Sequence, residues 1–531
     1  MIDFMKLQYG SDICGVALEG VPGEEVVLTE EVAGAIAGSF AYWLGFKVGK
    51  NPYDLRICVG QDPRLSGDTL KSGLLKAIAM FGAEGYDAGL STTPAMFMST
   101  ILPQLDFDGA IMITASQQRW NWNGFKFFTK YGDLEKEDIA KILRVASKYN
   151  FVGEFYEERD SNVLQMYAAY LRQMISMGLK DVPGGLSGMH IVVDAGNGAG
   201  GFFAKEVLEP MGVDISGSLF LEPDGSFPNH EPDPWDKDAM ASICKAVTDN
   251  GADLGILFDD DADRVAIIGP DGKSISRNAY IALAASLAAD DYPGGTVVTD
   301  SITSCELTDF LEKKLGLKHL RYKRGYCDII RKAKDLNAEI EENSPGKAFL
   351  AIETSGRAAF ADNFYFDDGA FLAVQIIINA AKLKKDGKNI TSLIDGLEAP
   401  AESCEVRLDL TAGDHEELGT KILEDAEKWV RDAAGMTLEV PNFEGVRVNY
   451  RVPLAAEEKT EAGRAEDQAA DKAAESAGKA SEANGWFLLR KSLHGPAMVL
   501  NVESDTEGGI DAVLPRIFDF IGKYEGTELP Q

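Results

Sequence analysis

The sequence is short of the residues that build zinc sites, disulfide frameworks and nucleic-acid surfaces. Its 531 residues include 6 cysteines and 5 histidines. The cysteines are scattered without a CxxC pair, which excludes a zinc ribbon and a disulfide scaffold, and reduced thiols are typical of an intracellular protein. Basic residues are also scarce, with 52 Lys and Arg against 85 Asp and Glu. A net charge of -33 excludes nucleic acid and anionic membranes as partners, because both need a basic surface.

The chain also lacks an apolar run long enough to cross a bilayer. The Ala-rich stretch at 279–289 stops at Asp290 and Asp291, and the N-terminus has no apolar centre of a signal peptide. We therefore expect a soluble cytoplasmic protein, or a plastid protein if a transit peptide precedes this sequence. We expect a monomer or a dimer, without a membrane partner. With 45% hydrophobic residues the chain is long enough for several domain cores.

Strand-like and helix-like segments alternate through most of the chain. Strands are predicted at 55–59, 109–114, 191–194, 254–258, 296–299 and 349–352. This alternation favours α/β layers. The last part changes character and predicts an α+β domain, with strands at 404–410, 446–450, 486–490 and 498–502 and helices at 416–432 and 510–524.

Three aspartates at alternate positions predict a metal site. Asp259, Asp261 and Asp263 stand between two apolar segments, and an extended chain turns all three to one side. Carboxylates so close together repel one another unless a cation lies among them. Mg²⁺ prefers such oxygen ligands and leaves positions open for a phosphate. Arg264 adds a planar guanidinium group that can bind the same phosphate through two hydrogen bonds.

Two other interpretations of the aspartates are weaker. An EF-hand loop needs glycine at its sixth position and glutamate at its twelfth, where this chain has Arg264 and Pro270. A solvated acidic turn is common in so acidic a chain, but such turns seldom stand directly between two apolar strands. The pattern therefore favours a metal site.

Further polar motifs follow predicted strands. Ser116 comes two residues after the strand predicted at 109–114, and a serine in such a position is usually only a turn or cap residue. The absence of a Gly-x-Ser-x-Gly elbow argues against a hydrolase triad. Glu353 and Ser355 have the donors and acceptors to bind vicinal sugar hydroxyls, or to cap a helix, and the segment alone does not decide. The basic segment at 490–495 offers a phosphate cradle.

Taken in order, these motifs resemble the α-D-phosphohexomutase superfamily, which includes phosphoglucomutases, phosphomannomutases and phosphoglucosamine mutases. The resemblance covers residues 10 to 503 and is closest to the branch found in plants and algae. Besides the aspartate loop, it rests on the segments Gly10-Ser11-Asp12, Gly60-Gln61-Asp62-Pro63-Arg64, Thr114-Ala115-Ser116, Asn123-Gly124-Phe125-Lys126, Asp194-Ala195-Gly196-Asn197-Gly198, Lys323-Arg324-Gly325-Tyr326, Glu353-Thr354-Ser355-Gly356 and 485–503.

The resemblance implies three α/β three-layer domains with mixed sheets and a C-terminal α+β domain around a central cleft. The expected domains span residues 1–165, 166–275, 276–397 and 398–531. An insertion at 455–484 is rich in Ala, Glu and Lys and contains no large apolar residue. Such a segment cannot bury a core, so we expect a solvated helix or a disordered insertion.

The resemblance also implies a role for each motif. Ser116 would carry a phosphoryl group that binds Mg²⁺ together with Asp259, Asp261 and Asp263, while Arg264 would help to hold the loop. The substrate-binding residues would be Glu353, Ser355 and Arg357 for the sugar and Lys323, Arg490 and Ser492 for its non-reacting phosphate.

The chain differs from the family at the positions to which proton transfer is assigned in that family. Cys14, Gln117 and Arg357 replace residues that are usually Arg, His and His. This leaves Lys126 as the general base, helped by Arg357, on condition that its pKa is lowered.

The expected function is that of an isomerase, a phosphohexomutase that interconverts hexose 1-phosphate and 6-phosphate. Glucose and mannose phosphates are the expected substrates, with glucosamine phosphate as a further candidate, and the path runs through a phosphoserine and a hexose 1,6-bisphosphate. Two alternatives stay open: a relative that forms sugar 1,6-bisphosphate, and a catalytically silent sugar-phosphate sensor.

Overall fold

The computed structural model describes residues 2–148, 153–275, 277–340, 346–451, 483–492 and 495–529. The predicted insertion at 455–484 lies outside the described residues except for its last two positions, and so do Leu493 and His494. The chain divides into two compact units. The first unit comprises Met1–Leu287 and Ser355–Leu393, and the second comprises Ala288–Thr354 and Ile394–Gln531.

The first unit begins with a mixed sheet of seven strands: β1 (Gln8–Tyr9), β2 (Asp12–Val16), β3 (Arg56–Gln61), β4 (Glu84–Leu90), β5 (Gly109–Ile113), β6 (Trp122–Thr129) and β7 (Gly132–Asp133). Their order is β1-β2-β6-β5-β3-β4, with β7 paired to β6. Strand β3 pairs in parallel with β4 and β5, whereas the other pairs are antiparallel. The helices of this part are α1 (Glu30–Val48), α2 (Gly67–Phe81), α3 (Thr93–Met98) and α4 (Lys136–Ala146).

The cap residues explain where the long helix α1 begins and ends. The Thr29 hydroxyl accepts the Val32 N–H at 3.4 Å, which satisfies one of the free donors at the N-terminus. Gly49 ends the helix in the left-handed region, at a φ of 68°. Most of the side chains of α1 are buried, in one core cluster with α2 and the sheet.

The second sheet also belongs to the first unit and contains β8 (Ile191–Asp194), β9 (Leu254–Phe258), β10 (Val265–Ile268) and β11 (Ser274–Ile275). Its order is β11-β10-β9-β8, with β8 parallel to β9 and the other pairs antiparallel. Every residue of β8, β9 and β10 is buried, which explains their continuous apolar sequences. The remaining elements of this part are α5 (Val163–Gly178), the π-helix Phe203–Leu208, α6 (Lys237–Asn250) and α7 (Asn278–Ala288).

The second unit contains three parallel strands and an antiparallel sheet. The parallel strands are β12 (Thr296–Thr299), β13 (Lys318–Arg321) and β14 (Ala348–Ile352), with β12 in the middle. Their helical elements are α8 (Cys305–Asp309), the π-helix Phe310–Lys314 and α9 (Tyr326–Ala338). After β14 the chain returns to the first unit for β15 (Ala358–Phe360) and α10 (Gly369–Lys385).

The antiparallel sheet of the second unit consists of β16 (Glu402–Leu410), β17 (Met436–Leu438), β18 (Val446–Tyr450), β19 (Gly485–Lys491), β20 (Ala497–Ser504) and β21 (Thr527–Glu528). Its order is β17-β18-β19-β20-β16-β21. The helices α11 (His415–Asp432) and α12 (Gly509–Ile521) pack on it, and Trp429 of α11 stacks on Phe520 of α12 at 4.8 Å.

The predicted fold class is confirmed: mixed α/β sheets are followed by an antiparallel α+β part. Four predicted strands coincide with β8, β9, β12 and β18. The helix predicted at 510–524 ends three residues early, at Ile521, where Gly522 follows and favours termination. The division into four domains at the stated boundaries stays a prediction. Among the described residues, no helix combines the length and the apolar character of a membrane span.

Candidate active site

The three alternate aspartates converge as the sequence predicts. Asp259, Asp261 and Asp263 lie in the turn from β9 to β10 and are almost completely buried. One carboxylate oxygen from each lies within 4.8 Å of the other two. Ala262, between two of them, has a φ of 57°, a left-handed conformation that folds the loop back on itself. The loop therefore gathers three hard oxygen donors around one point.

Two of these carboxylates have one oxygen held and the other free. Oδ2 of Asp261 accepts the Thr93 hydroxyl at 2.5 Å, and Oδ2 of Asp263 lies 3.2 Å from Arg357 Nη2 and 3.6 Å from Lys126 Nζ. Their Oδ1 atoms are buried and have no hydrogen bond within the described part of the chain. Buried oxygens of this kind cost free energy unless a ligand binds them, and a hard divalent cation such as Mg²⁺ fits the donor set.

Ser116 lies beside the same carboxylates. It follows β5 in a left-handed conformation, with a φ of 49°, and its N–H donates to Thr114 Oγ1 at 2.9 Å. Its hydroxyl lies 3.4 Å from Oδ2 of Asp259, whose Oδ1 accepts the Arg264 N–H at 3.0 Å. A strained backbone at a nucleophile is often part of a preorganised site. A phosphoryl group on Ser116 would reach the metal ligands.

Arg64 connects the serine loop to the aspartate loop. Its buried guanidinium pairs with Asp260 at 2.8 Å and with Asp62 at 3.2 Å. It also donates to the backbone carbonyl oxygens of Ser116, Gln118, Arg119 and Trp122. All of its nitrogen atoms are therefore used, and the two loops share one fixed cation.

The glycines of the segment 196–201 allow close backbone approach. A Cβ on Gly198 would lie 2.6 Å from Asp260 Cα, and one on Gly200 would lie 2.9 Å from Cβ of Phe258 in β9. The N–H of Ala199 donates to the Asp260 carbonyl at 2.7 Å. Glycine at these positions therefore lets the segment after β8 approach both the aspartate loop and β9.

The charges of the three aspartates are uneven. Burial, together with the charge of Asp263, raises the pKa of Asp259 well above its usual range and that of Asp261 to about 6. Burial acts in the same direction on Asp263, but Arg357 and Lys126 outweigh it and hold the pKa of Asp263 well below its usual range. A cation among the three would favour the ionised form of all of them.

The lowered pKa expected of a general base at Lys126 is contradicted. Burial alone would lower the pKa of this lysine, but the carboxylates of Asp12, 3.2 Å away, and Asp263 raise it above its usual value. The expectation weighed burial without the opposite charges that tertiary structure brings to both sides of Lys126. In this structure the residue is a fixed cation.

Arg357 is tied to carboxylates. It is 7% exposed, and Nη1 lies 3.3 Å from Asp367 while Nη2 pairs with Asp263 of the carboxylate cluster. Two consecutive left-handed residues, Phe364 and Tyr365, precede Asp367. Arg357 therefore holds Asp263 in place, which the expected contact to a sugar did not anticipate.

The predicted sugar loop follows β14 and crosses from one unit to the other. Oε1 of Glu353 accepts the Gly325 N–H at 2.9 Å within the second unit. The boundary lies directly before Ser355, whose carbonyl accepts Trp235 Nε1 at 2.9 Å within the first unit. Each half of the loop is therefore held by its own unit.

The predicted phosphate residues have different surroundings. Arg490 is 3% exposed, and its Nε is buried without a hydrogen-bond partner among the described residues. Lys323 pairs with Asp328 at 3.0 Å, and 44% of its side chain is exposed. The Ser492 hydroxyl lies 3.4 Å from Nη1 of Arg407. Of the three, Arg490 is the one whose charge is buried without an ion pair to any described residue.

Sequence reasoning assigned no role to Thr93, Asp12, Asp367 or Arg64. Only Arg64 and Asp12 gave a signal, as members of quoted motifs. Thr93 and Asp367 stand in segments without any motif, and their contacts to the site arise from the tertiary structure alone.

Three related domain families match the chain. They are the phosphoglucomutase/phosphomannomutase alpha/beta/alpha domain I over residues 10–152, domain II over 165–272 and domain III over 276–399. Together these matches span more than half of the sequence.

Individual relatives are similar over most of their length. A phosphomannomutase/phosphoglucomutase of Pseudomonas putida is 28% identical over 484 residues, which is 90% of both chains. A solved phosphoglucomutase/phosphomannomutase family protein of Burkholderia thailandensis is 23% identical, with a TM-score of 0.71 and full coverage of both chains. The Aspergillus fumigatus N-acetylphosphoglucosamine mutase, solved with GlcNAc-6P and magnesium, is 13% identical, with a TM-score of 0.53 over 92% of this chain and 96% of that one.

The two solved structures share the fold, and the three matched domains follow one another in the order that the motifs predicted. The closer similarity to the plant and algal branch stays a prediction. The chain belongs to the phosphoglucomutase/phosphomannomutase family of the α-D-phosphohexomutase superfamily.

Proposed function

We propose that the protein is a phosphohexomutase that interconverts the 1- and 6-phosphates of glucose or mannose. The observation that carries this proposal is the Ser116 hydroxyl, 3.4 Å from Asp259 in a buried site of three convergent carboxylates. A hydroxyl nucleophile beside a divalent-metal site suits phosphoryl transfer. The activity named for the Pseudomonas putida relative supports the same reaction.

Mg²⁺ would be held by Asp259, Asp261 and Asp263, with a phosphoryl oxygen on Ser116 as a further ligand. When bound, the ion would neutralise phosphoryl charge as a Lewis acid. The free Oδ1 atoms of Asp261 and Asp263 support this assignment.

In the proposed cycle, phosphorylated Ser116 transfers its phosphoryl group to a free hydroxyl of a hexose phosphate. The bond from phosphorus to the serine oxygen breaks as a bond to the sugar oxygen forms, and the proton lost by the sugar hydroxyl is balanced by the proton that Ser116 regains. The product is a hexose 1,6-bisphosphate. Return of its other phosphoryl group to Ser116 completes the interconversion.

Arg264 is suited to stabilise the transferring group. Its side chain is mostly buried, and its Nε makes no hydrogen bond to a described residue, with Oδ1 of Asp263 at 3.8 Å as its nearest ion-pair partner. A guanidinium fixed beside the reacting phosphoryl stabilises the charge of its equatorial oxygens. Lys126 acts as a second fixed cation, with its Nζ 3.6 Å from Oδ2 of Asp263.

The substrate-binding roles follow the same proposal. Glu353 and Ser355 bind sugar hydroxyls, while Arg490 and Ser492, with Lys323, bind the non-reacting phosphate. Support comes from Arg490: in a chain with 85 acidic residues, a buried guanidinium without an ion pair among the described residues favours an anionic ligand. Glucosamine phosphate belongs in the same substrate panel.

The Ser116→Ala variant tests this function. It should abolish interconversion of glucose 1-phosphate and glucose 6-phosphate followed by phosphorus NMR, and intact-mass analysis should find a phosphoryl group on the wild type alone. Ser147→Ala, an exposed serine after α4, is the matched control and should keep full activity. Retained activity in Ser116→Ala would contradict the proposal. Accumulation of bisphosphate by the wild type would favour the bisphosphate-forming alternative.

A further inference from the structure

Two arginines of the second unit contact the same short turn, and neither has an ion pair with a described residue. Arg490 lies on β19, and Arg324 lies three residues after β13. Within the described part of the chain, neither guanidinium makes a hydrogen bond or an ion pair to a protein group. Burying such a charge is costly unless an opposite charge compensates it.

The loop before β18 fixes the two arginines near each other. Oε2 of Glu444 accepts the backbone N–H of Arg324 at 3.1 Å and also accepts the Ser301 hydroxyl. The next residue, Gly445, lies so close to Arg490 that a Cβ there would come within 2.8 Å of Arg490 Cβ. The Glu444–Gly445 turn therefore contacts the backbone of one arginine and the side-chain base of the other.

The nearby carboxylates do not pair with either guanidinium. Glu444, Glu405 and Asp300 lie close enough for their charges to act on Arg490. Two of them accept hydrogen bonds from other groups: Oε2 of Glu405 accepts Asn501 Nδ2 at 2.8 Å, and Oδ2 of Asp300 accepts the N–H and hydroxyl of Thr354 at 3.0 and 2.7 Å.

The two guanidinium charges also oppose each other. Burial lowers the pKa of Arg490, and the positive charge of Arg324 lowers it further. A phosphate dianion between them would remove this repulsion and provide oxygens for both planar forks.

The neighbouring Lys323 differs in each respect. Its ammonium group already pairs with Asp328 at 3.0 Å, and 44% of its side chain is exposed. Lys323 and Arg324 are adjacent and carry the same charge, but Lys323 has an ion pair and Arg324 has none with a described residue.

We propose that Arg324, together with Arg490, binds the non-reacting phosphate of the hexose phosphate and contributes more of its affinity than Lys323 does. This inference rests on the proposed function. Arg324 would contribute affinity for the phosphate and no step of the phosphoryl transfer.

The test measures binding without turnover. In a Ser116→Ala background, calorimetry with glucose 6-phosphate and mannose 6-phosphate should show a dissociation constant raised about 10-fold or more by Arg324→Met, the loss typical of a charge-assisted hydrogen bond. Lys323→Met should raise it less. Arg431→Met, which removes the same charge from the exposed face of α11, is the matched control. Arg324→Lys should restore part of the affinity, and thermal unfolding should show that each variant is folded.

The outcomes separate this inference from the proposed function. If the Ser116→Ala protein binds neither hexose phosphate, the proposed function fails. If it binds them and Arg324→Met has no larger effect than Lys323→Met, this inference is overturned while the function stands. If Arg324→Met does not fold, the same comparison is made with Arg324→Gln, and an unchanged affinity there overturns the inference equally.

Discussion

At the residue scale, the aspartates of the proposed metal site depend on partners far away in the sequence. The hydroxyl of Thr93, at the start of α3, holds Oδ2 of Asp261 at 2.5 Å, and the Thr93 N–H donates to the Asp261 carbonyl at 3.0 Å. Lys126 and Arg357 hold Oδ2 of Asp263 in the same way. Each partner fixes which oxygen is left for a metal ion, so these residues control the geometry of the site without binding metal themselves.

Replacing Thr93 by valine should weaken metal binding by about 10- to 100-fold, the usual cost of losing a hydrogen bond to a metal ligand. The change keeps the shape of the side chain and removes only the hydroxyl. Titration with Mn²⁺ followed by electron paramagnetic resonance measures the affinity directly, without reference to activity.

Thr93→Ser should keep the affinity because it keeps the donor. Thr100→Val is the matched control, since the buried Thr100 donates to the Phe97 carbonyl at 2.8 Å and does not contact the aspartate loop. Equal Mn²⁺ affinity in Thr93→Val and Thr100→Val would show that the hydroxyl does not position Asp261.

At the scale of the element, the site depends on how closely the glycine segment after β8 approaches the aspartate loop after β9. The segment after β8 packs against the backbone of Asp260, with no room for a side chain at Gly198. The fixed cation Arg64 binds the other side of Asp260. The aspartate loop is therefore clamped between a glycine segment and an arginine, and its shape depends on both.

Gly198→Ala should displace the aspartate loop. The new Cβ would lie 2.6 Å from Asp260 Cα and 2.7 Å from its carbonyl oxygen, and backbone atoms cannot rotate away as a side chain does. We expect a loss of unfolding free energy of about 1–3 kcal/mol, the usual cost of overpacking, together with weaker Mn²⁺ binding.

Urea unfolding and Mn²⁺ titration measure the two effects of Gly198→Ala. Gly413→Ala is the control, because a Cβ there meets no atom within 4 Å. Unchanged stability and Mn²⁺ affinity in Gly198→Ala would contradict the prediction, because the aspartate loop would then move away from the new Cβ without a loss of free energy.

At the scale of the whole molecule, this strongly acidic chain buries several of its carboxyl groups, where the charged form is unfavourable. The chain carries a net charge of -33, yet several carboxyl groups are enclosed away from water. Burial raises the pKa of Asp300 to about 6, with the charge of Glu353 adding to it, and burial raises the pKa of Asp368 to about 6. The folded state therefore binds protons at these two groups more tightly than the unfolded chain does.

This difference makes stability depend on pH with a definite sign. The usual pKa of 3.8 for an aspartate rises to about 6 at Asp300 in the folded state. The stabilisation is fully present below the unfolded value and is lost as pH rises toward 6. Relative to wild type, Asp300→Asn should therefore gain unfolding free energy as pH rises from 4 to 6 in urea titrations at constant ionic strength.

Asp425→Asn is a control of opposite sign. Lys421 and Lys428 hold the pKa of this exposed carboxyl below its usual range, so the variant should lose stability relative to wild type as pH rises through the acidic range. A difference between Asp300→Asn and wild type that does not vary with pH would contradict the assignment of Asp300.

The positions of the strands and the motifs were predictable because they depend on local patterns. Short continuous apolar runs such as 254–258 are typical of buried strands, and polar residues after a strand lie at the sheet edge where α/β proteins bind ligands. The alternate spacing of Asp259, Asp261 and Asp263 predicted their convergence, but in the structure the convergence depends on the turn at Ala262 and not on an extended chain. The state of Lys126 was not predictable, since its pKa depends on the sum of charges from separate segments.

The sequence by itself determined the family, the order of the sheets and the three aspartates, because each depends on residues that are neighbours in the chain. Only the tertiary structure decided that Thr93 holds Asp261, that Arg357 binds Asp263 and Asp367, and that Arg324, near Arg490, has no ion pair with a described residue. Such pairings join residues distant in sequence, and both their distances and the pKa values they set depend on how the folded chain brings charges together.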